Sequence, residues 1–293
     1  MLISALRAWL QPTQPSPIDA LIYETIPQII VSFLLCLAID HALVSKLGLG
    51  KARWFSLHTI VNAIVCILAA EDTLSTLLDP IHACEGPVST LAISLVISLH
   101  AYHSVYFTLD AVDILHHIVS VGILGPLAVL YRPGPFVNYA CFFVSGLPGG
   151  IDYAMLALVK HGRMPAMHEK YYNCKINVWM RGPALVIGAF LAYQSTLEST
   201  LAVIAGTSVS RDVSAGGGFT GMRIASLITA GVLLWNGQFF AERVIVNFGT
   251  KSTQSTAEMY AGGILPRNLS KRSLSTLARN LSRESLLRLA EAN

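Results

Sequence analysis

Four ionisable side chains fall within eight consecutive positions, directly before an apolar run. They are Asp110, Asp113, His116 and His117, and Ser120 follows them. On an α-helix these five residues share an arc of about 120°, which must face a protein interior or a wet cavity rather than lipid. Asp113 lies three and four residues before the histidines, so it can hydrogen-bond either imidazole and raise its basicity, as a general base near neutral pH requires. The pattern predicts a catalytic cluster of Asp110, Asp113, His116 and His117.

Further polar side chains interrupt the other apolar segments, and we expect them to contact a membrane lipid. They are His58, Asn62, His100, His103, Asp152 and Arg181. Arg181 could pair with Asp152 or with a lipid phosphate, and the glycines at 149–150 could break or thin the helix beside Asp152. A single His or Asn in a membrane also serves as a contact between helices. That structural interpretation stays open for each of them, above all for His100 and His103.

Metal ligation is the alternative chemistry for the histidines. Membrane oxygenases and desaturases with two irons draw ligands from several His-x-x-His-His boxes. This chain has one His-His pair, with Asp113 at the position of the first histidine. A single-metal site formed by His100, His103 and His117 stays open. The five cysteines have no paired spacing, and we predict neither a metal nor a cofactor.

The composition is typical of a polytopic membrane protein. Of 293 residues, 53% are hydrophobic and 13% are charged, against about 25% charged residues in soluble domains. Seven apolar segments approach the length that crosses about 30 Å of hydrocarbon. They are Ile18–Val44, Trp54–Ala70, Val88–Phe107, Ile114–Tyr131, Phe136–Val159, Ile176–Gln194 and Met222–Val246. We predict an all-α transmembrane helical bundle of about seven spans, with an N-terminal segment 1–17, a membrane domain 18–246 and a tail 247–293.

The distribution of Lys and Arg predicts how the bundle is oriented. If the loop around residues 46–53 is cytosolic, 14 of the 20 cations lie in the cytosol and three lie on the other side. The opposite loop, 71–86, holds four acidic residues and no Lys or Arg. By the positive-inside rule, we predict a lumenal N-terminus and a cytosolic C-terminus.

The tail contains a tandem repeat of 12 residues, 267–278 and 279–290, with six Lys and Arg against one Glu. A disordered, solvated tail is one interpretation. The other is a basic segment that rests on an anionic lipid surface. Because this tail accounts for the mildly basic pI of 8.6, we predict no nucleic-acid partner.

Several of these pieces together resemble the TLC family, a membrane domain shared by ceramide synthases and several relatives without synthase activity. The matching pieces are Trp54-Phe-Ser-Leu-His58, Asp110-x5-His116-His117-x2-Ser120, the fifth span with Pro148, and Asn173 to Arg181-Gly. The resemblance covers about residues 50–246. It implies a helical barrel around a lipid-accepting cavity, with His116 and His117 inside and with Asp110, Asp113 and His58 lining it.

The resemblance is closer to the branch without synthase activity. Ceramide synthases carry a His-Asp pair, a further Asp and a Glu in their second block, whereas only Asp152-Tyr153 fits here. We therefore expect a protein of the endoplasmic reticulum that binds or senses membrane lipids and contributes to lipid homeostasis. One alternative is a sphingoid N-acyltransferase with acyl-CoA as co-substrate, in which His116 or His117 deprotonates the amine or relays the acyl group. Another is a trafficking receptor that acts through its loops and tail.

Overall fold

The computed structural model describes residues 16–204 and 218–261, and every element in those residues is helical, without a strand. The predicted N-terminal segment up to residue 15, most of the glycine-rich loop at 207–221 and the tail repeats lie outside the described residues. The helices are α1 (Pro17–Lys46), α2 (Leu49–Leu78), α3 (Leu91–Tyr106), α4 (Ala111–Tyr131), α5 (Phe136–Lys160), α6 (166–204) and α7 (Gly218–Ala261). The predicted helical class is confirmed for these residues.

Six of these helices are long and apolar enough to cross a membrane, which fits an integral membrane protein. The exception in the described residues is α3, with 16 residues. At 1.5 Å per residue it is about 24 Å long, less than the hydrocarbon thickness of about 30 Å. The second predicted segment is longer than expected, because α2 continues past Glu71 and Asp72 to Leu78. Asp72 is held there by a hydrogen bond from the Asn138 amide, 2.6 Å away.

Four prolines inside the helices each follow a π-helical segment. The segments are Leu21–Thr25, Ile118–Leu124, Phe142–Gly146 and Asn177–Arg181, and the prolines are Pro27, Pro126, Pro148 and Pro183. A proline lacks the N–H and its ring crowds the carbonyl four residues earlier, so the hydrogen-bond pattern shifts locally. The residue before the proline bonds five residues back. Gly125 donates to the Ser120 carbonyl, and Gly182 donates to the Asn177 carbonyl.

Polar contacts join the helices at both ends of the bundle. At one end the Asp40 carboxylate of α1 accepts hydrogen bonds from Arg53 of α2, at 2.8 Å, and from Tyr102 of α3. At the other end Arg132, which follows α4, donates to Glu24 of α1 at 2.8 Å. Buried charges are stable only when they are paired and hydrogen-bonded. These contacts therefore fix which helices are neighbours.

Close packing of α2 against α5 depends on small residues. A Cβ atom at Gly149 would lie 3.1 Å from the Asn62 amide nitrogen, and the Ser145 hydroxyl donates to the Asn62 carbonyl oxygen at 3.1 Å. Asn62, a predicted lipid contact, is thus a contact between helices. The helix Leu147–Lys160 continues through the glycines, so the expected break before Asp152 is wrong.

Candidate functional site

Five histidines from three helices meet at one end of the bundle. We call them the histidine cluster: His58 of α2, His100 and His103 of α3, and His116 and His117 of α4. Ring centroids lie 4.9–5.2 Å apart in the pairs His58–His103, His103–His117, His100–His117 and His100–His116. His58, His100 and His103 are 4%, 6% and 2% exposed. The structure therefore brings together histidines that lie as many as 59 positions apart (from 58 to 117) in the sequence.

Backbone carbonyls fix the tautomers of two cluster histidines. His58 Nδ1 lies 3.0 Å from the Trp54 carbonyl oxygen, and His100 Nδ1 lies 2.7 Å from the Val96 carbonyl oxygen. A carbonyl oxygen can only accept, so each Nδ1 carries the hydrogen. In a neutral ring Nε2 is then an acceptor with a free lone pair. His58 and His100 both present such an acceptor.

The tautomer of His100 determines that of His116. Their Nε2 atoms are 3.1 Å apart, and because His100 accepts there, His116 donates from Nε2. His116 Nδ1 is then the acceptor, and it takes the hydrogen of the Ser120 hydroxyl at 3.2 Å. A directed chain of hydrogen bonds results, from Ser120 through His116 and His100 to the Val96 carbonyl.

His117 and His103 have different surroundings. The Ser104 hydroxyl donates to the His100 carbonyl at 2.8 Å, so at 2.9 Å it accepts from His117 Nδ1 and leaves His117 Nε2 unprotonated. Neither ring nitrogen of His103 has a hydrogen-bond partner, although the ring packs against Trp54. A buried polar group without a partner costs about 1–3 kcal/mol. His103 therefore keeps two ring nitrogens whose hydrogen-bonding capacity is unused within the described residues.

Asp110 and Asp113 do not hydrogen-bond the histidines as expected. Asp110 is the N-cap of α4, and its carboxylate accepts from the backbone N–H groups of Val112 and Asp113 at 2.8 Å each. Asp113 accepts from the Asp110 N–H at 3.1 Å, which completes a capping box. The expected hydrogen bond from Asp113 to an imidazole is wrong, because the first turn of a helix has N–H groups without partners and the two carboxylates satisfy them.

A second polar group lies beside the histidine cluster and consists of Asp152, Arg181 and Asn236. We call it the arginine group. Arg181 donates to the Asn236 carbonyl oxygen at 3.2 Å, and its guanidinium lies over the Phe240 ring at 5.3 Å. Phe240 in turn meets His116 edge to face at 5.5 Å. The arginine group and the histidine cluster are therefore in contact through one aromatic ring.

The arginine group leaves three buried atoms without a hydrogen-bond partner: Asp152 Oδ1, Arg181 Nε and Asn236 Nδ2. Asn236 is 1% exposed. Asp152 and Arg181 interact electrostatically, but they form no direct ion pair among the pairs found in the described residues. The expected Asp152–Arg181 contact is thus a longer-range interaction, and both side chains keep unused hydrogen-bonding capacity.

An open apolar cavity lies about one helix turn from both polar groups, and no residue of either group lines it. It encloses about 850 Å³ including its mouth, and its wall comes mainly from helices α3 to α7. Ser120 lies in this wall and also hydrogen-bonds His116. Ser120 therefore connects the cavity wall to the histidine cluster.

Single helix faces run from the cavity to the polar groups. On α3, Ile93 and Val96 line the cavity and His100 follows four residues after Val96. On α7, Leu233 lines the cavity and Asn236 lies one turn further along. Residues three or four apart share a helix face. The site is therefore apolar at one end and rich in hydrogen-bonding groups at the other.

Three residues that contact the site were not among the predicted site residues. Tyr153 packs on His58 with ring centroids 4.3 Å apart, and Asn236 and Phe240 meet Arg181 as described above. An amide within the apolar run of α7 is a signal for Asn236, and the position next to Asp152 is one for Tyr153. Phe240 is one of many apolar residues in α7, so nothing in the sequence marks it as a site residue.

Neither metal ligation nor a family assignment gains support. In the part of the chain that the structure describes, no three His, Cys, Asp or Glu side chains are arranged so that they could hold a metal ion. No family model, no curated protein and no solved structure matches the chain. The resemblance to the TLC family therefore remains a prediction from the residues quoted above.

Proposed function

We propose that this protein binds a membrane lipid, with the acyl chain in the apolar cavity and the polar head at the histidine cluster and the arginine group. The observation that carries this proposal is the order of residues along α3 and α7, from apolar to polar on one face. A membrane lipid likewise has an apolar acyl chain that leads to a polar head. Through this binding, we propose, the protein contributes to lipid homeostasis in the endoplasmic reticulum.

The cavity suits a lipid chain in polarity. Its wall is mostly apolar, with Ile93, Leu124 and Val144 among its residues. An acyl chain gains little by moving from bilayer to cavity, because lipid tails are as apolar as leucine. Affinity and selectivity must therefore come from the lipid head.

The polar end supplies groups that a lipid head can use. Donors and acceptors without partners lie on His103, Asp152, Arg181 and Asn236. Each hydrogen bond to such a group removes a cost of about 1–3 kcal/mol. We therefore expect a lipid that both donates and accepts hydrogen bonds at its head, near its first chain carbon.

The test is to purify the full chain in mild detergent and to identify co-purifying lipids by mass spectrometry. Thr229→Trp fills the cavity, because Thr229 lies in its wall. Leu227→Trp is the matched control, because Leu227 lies on the same helix and is 47% exposed. We expect Thr229→Trp to lose the lipid and Leu227→Trp to keep it. Equal lipid content in both variants and the wild type would contradict the proposal.

An enzymatic test runs beside it. The purified protein is incubated with acyl-CoA and a long-chain amine, and consumption of acyl-CoA is measured. We expect none if the protein only binds lipid. Turnover that disappears in His117→Ala would favour the N-acyltransferase alternative, because His117 presents an unprotonated Nε2.

A further inference from the structure

Ser120 differs from most hydroxyl residues in these helices. A helical Ser or Thr commonly donates to the carbonyl four residues before it, as do Thr59, Thr73 and Ser104 here. The Ser120 hydroxyl instead donates to the side chain of His116 at 3.2 Å. Ser120 lies in the π segment Ile118–Leu124. Backbone hydrogen bonds in a π segment span five residues and not four, so the Ser120 side chain is oriented differently toward the carbonyls of the preceding turn.

Ser120, His116 and His100 have the arrangement of an activated nucleophile. A serine becomes nucleophilic when a base lies within about 2.6–3.2 Å and a third group orients that base. The three hydrogen-bond distances, 3.2, 3.1 and 2.7 Å, run from Ser120 to His116, from His116 to His100 and from His100 to the Val96 carbonyl. We propose that Ser120 is the nucleophile of a site that cleaves long-chain acyl esters of membrane lipids, with His116 as general base and His100 as positioning residue.

The geometry selects the productive tautomer of His116. If His116 carried its hydrogen on Nδ1, its Nε2 lone pair would face the lone pair of His100 Nε2 at 3.1 Å. Those two lone pairs repel each other. His116 therefore holds its hydrogen on Nε2 and turns the basic nitrogen toward Ser120, which is the arrangement that general-base catalysis needs.

The substrate class follows from the place of Ser120. Ser120 lies in the wall of the apolar cavity, so we expect an acyl chain bound there to bring its carbonyl carbon toward Ser120. This inference rests on the proposed function, because the ester must bind in that cavity. A water-soluble ester has no apolar chain to hold it there.

The reaction balances with water as the second reactant. Ser120 Oγ attacks the ester carbonyl carbon while its proton moves to His116 Nδ1. The bond from carbonyl carbon to the alkoxy oxygen breaks, and His116 returns the proton to the leaving alcohol. Water then attacks the acyl-serine, gives one proton to His116 and releases the fatty acid as His116 reprotonates Ser120.

The test uses a fluorophosphonate probe with a long alkyl chain, which reacts with activated serines. The detergent-solubilised full chain is labelled, and the modified residue is located by mass spectrometry. We expect label on Ser120, and a loss of about 10²-fold or more in Ser120→Ala and His116→Phe, as removal of a nucleophile or a general base predicts. Ser75→Ala is the control that keeps the label, because Ser75 is exposed on α2, away from the cavity.

The outcomes separate this inference from lipid binding. Wild-type protein that co-purifies with lipid but takes no label on Ser120 would overturn the nucleophile and leave the proposed function standing. Equal labelling of wild type and His116→Phe would overturn the role of the base. If Ser120→Ala does not accumulate, Ser120→Cys replaces it, and its alkylation by an apolar maleimide should slow about 10²-fold when His116→Phe is added. An unchanged rate there would also overturn the inference.

Discussion

His100 and His103 lie one turn apart on α3 and are both buried, yet their hydrogen bonds differ completely. His100 donates to the Val96 carbonyl and accepts from His116. Neither nitrogen of His103 has a partner. Substituting each by leucine, an apolar residue of similar volume, should therefore change stability in opposite directions.

The magnitudes follow from the contacts that each substitution removes. His100→Leu loses a hydrogen bond worth about 0.5–1.5 kcal/mol and leaves the His116 N–H without an acceptor, which costs about 1–3 kcal/mol. We expect the free energy of unfolding to fall by about 1.5–4.5 kcal/mol. His103→Leu removes an unpartnered buried N–H worth about 1–3 kcal/mol and loses a ring contact with Trp54 worth about 0.5–1.5 kcal/mol. The net effect on the folded state should lie between a loss of about 0.5 and a gain of about 2.5 kcal/mol, with a gain over most of that range.

The assay is unfolding of delipidated protein in mixed micelles with increasing SDS, followed by circular dichroism. Adding back the co-purifying lipid should stabilise the wild type more than His103→Leu, because the lipid head bonds His103 in the wild type. Equal destabilisation by both leucine substitutions would refute the reasoning. It would mean that His103 has hydrogen-bond partners comparable to those of His100.

Three further outcomes can be measured independently. Asp110→Ala should lower the free energy of unfolding by about 1 kcal/mol through loss of the α4 cap, and the lipid content should stay unchanged. A loss of lipid would instead mean that Asp110 contributes to the lipid site. Gly134→Ala should destabilise more than Gly162→Ala in the same assay. Both have positive φ, but a Cβ atom at Gly134 would lie 2.5 Å from the Glu85 backbone, whereas Gly162 has open space. The sequons at Asn268 and Asn280 should stay unglycosylated in a secretory-pathway host, since a cytosolic tail cannot be modified, and glycan on either would invert the predicted topology.

The helices were predictable because each depends on a long local pattern. An apolar run of about 20 residues determines a span almost independently of its neighbours. The ends were less predictable, as α2 shows. Two carboxylates at Glu71 and Asp72 suggested an end, but a hydrogen bond from Asn138 on another helix lets α2 continue to Leu78. Such a partner is invisible in the local sequence.

The site was predictable in its residue types and less so in its contacts. Asp113, His116 and His117 do lie in one continuous helix, as their spacing assumes, but the Asp113 carboxylate accepts from the Asp110 N–H in the capping box and not from an imidazole. The Val96 carbonyl orients His100, and the hydrogen bond between the two Nε2 atoms orients His100 and His116 toward each other. The second of these contacts joins two helices, and no spacing within one helix can predict it.

Prolines explain why α-helical periodicity misplaces some of these side chains. Each π segment adds a residue to one turn, so side chains after it lie on a different face from the one that 100° per residue predicts. Ser120 lies within one such segment and Arg181 ends another. Ser120 connects the cavity wall to His116, and Arg181 connects the arginine group to His116 through the Phe240 ring. A proline within an apolar run is visible in sequence. When residues near Pro126 and Pro183 are assigned to a helix face from the sequence, the extra residue of a π turn must therefore be included in the calculation.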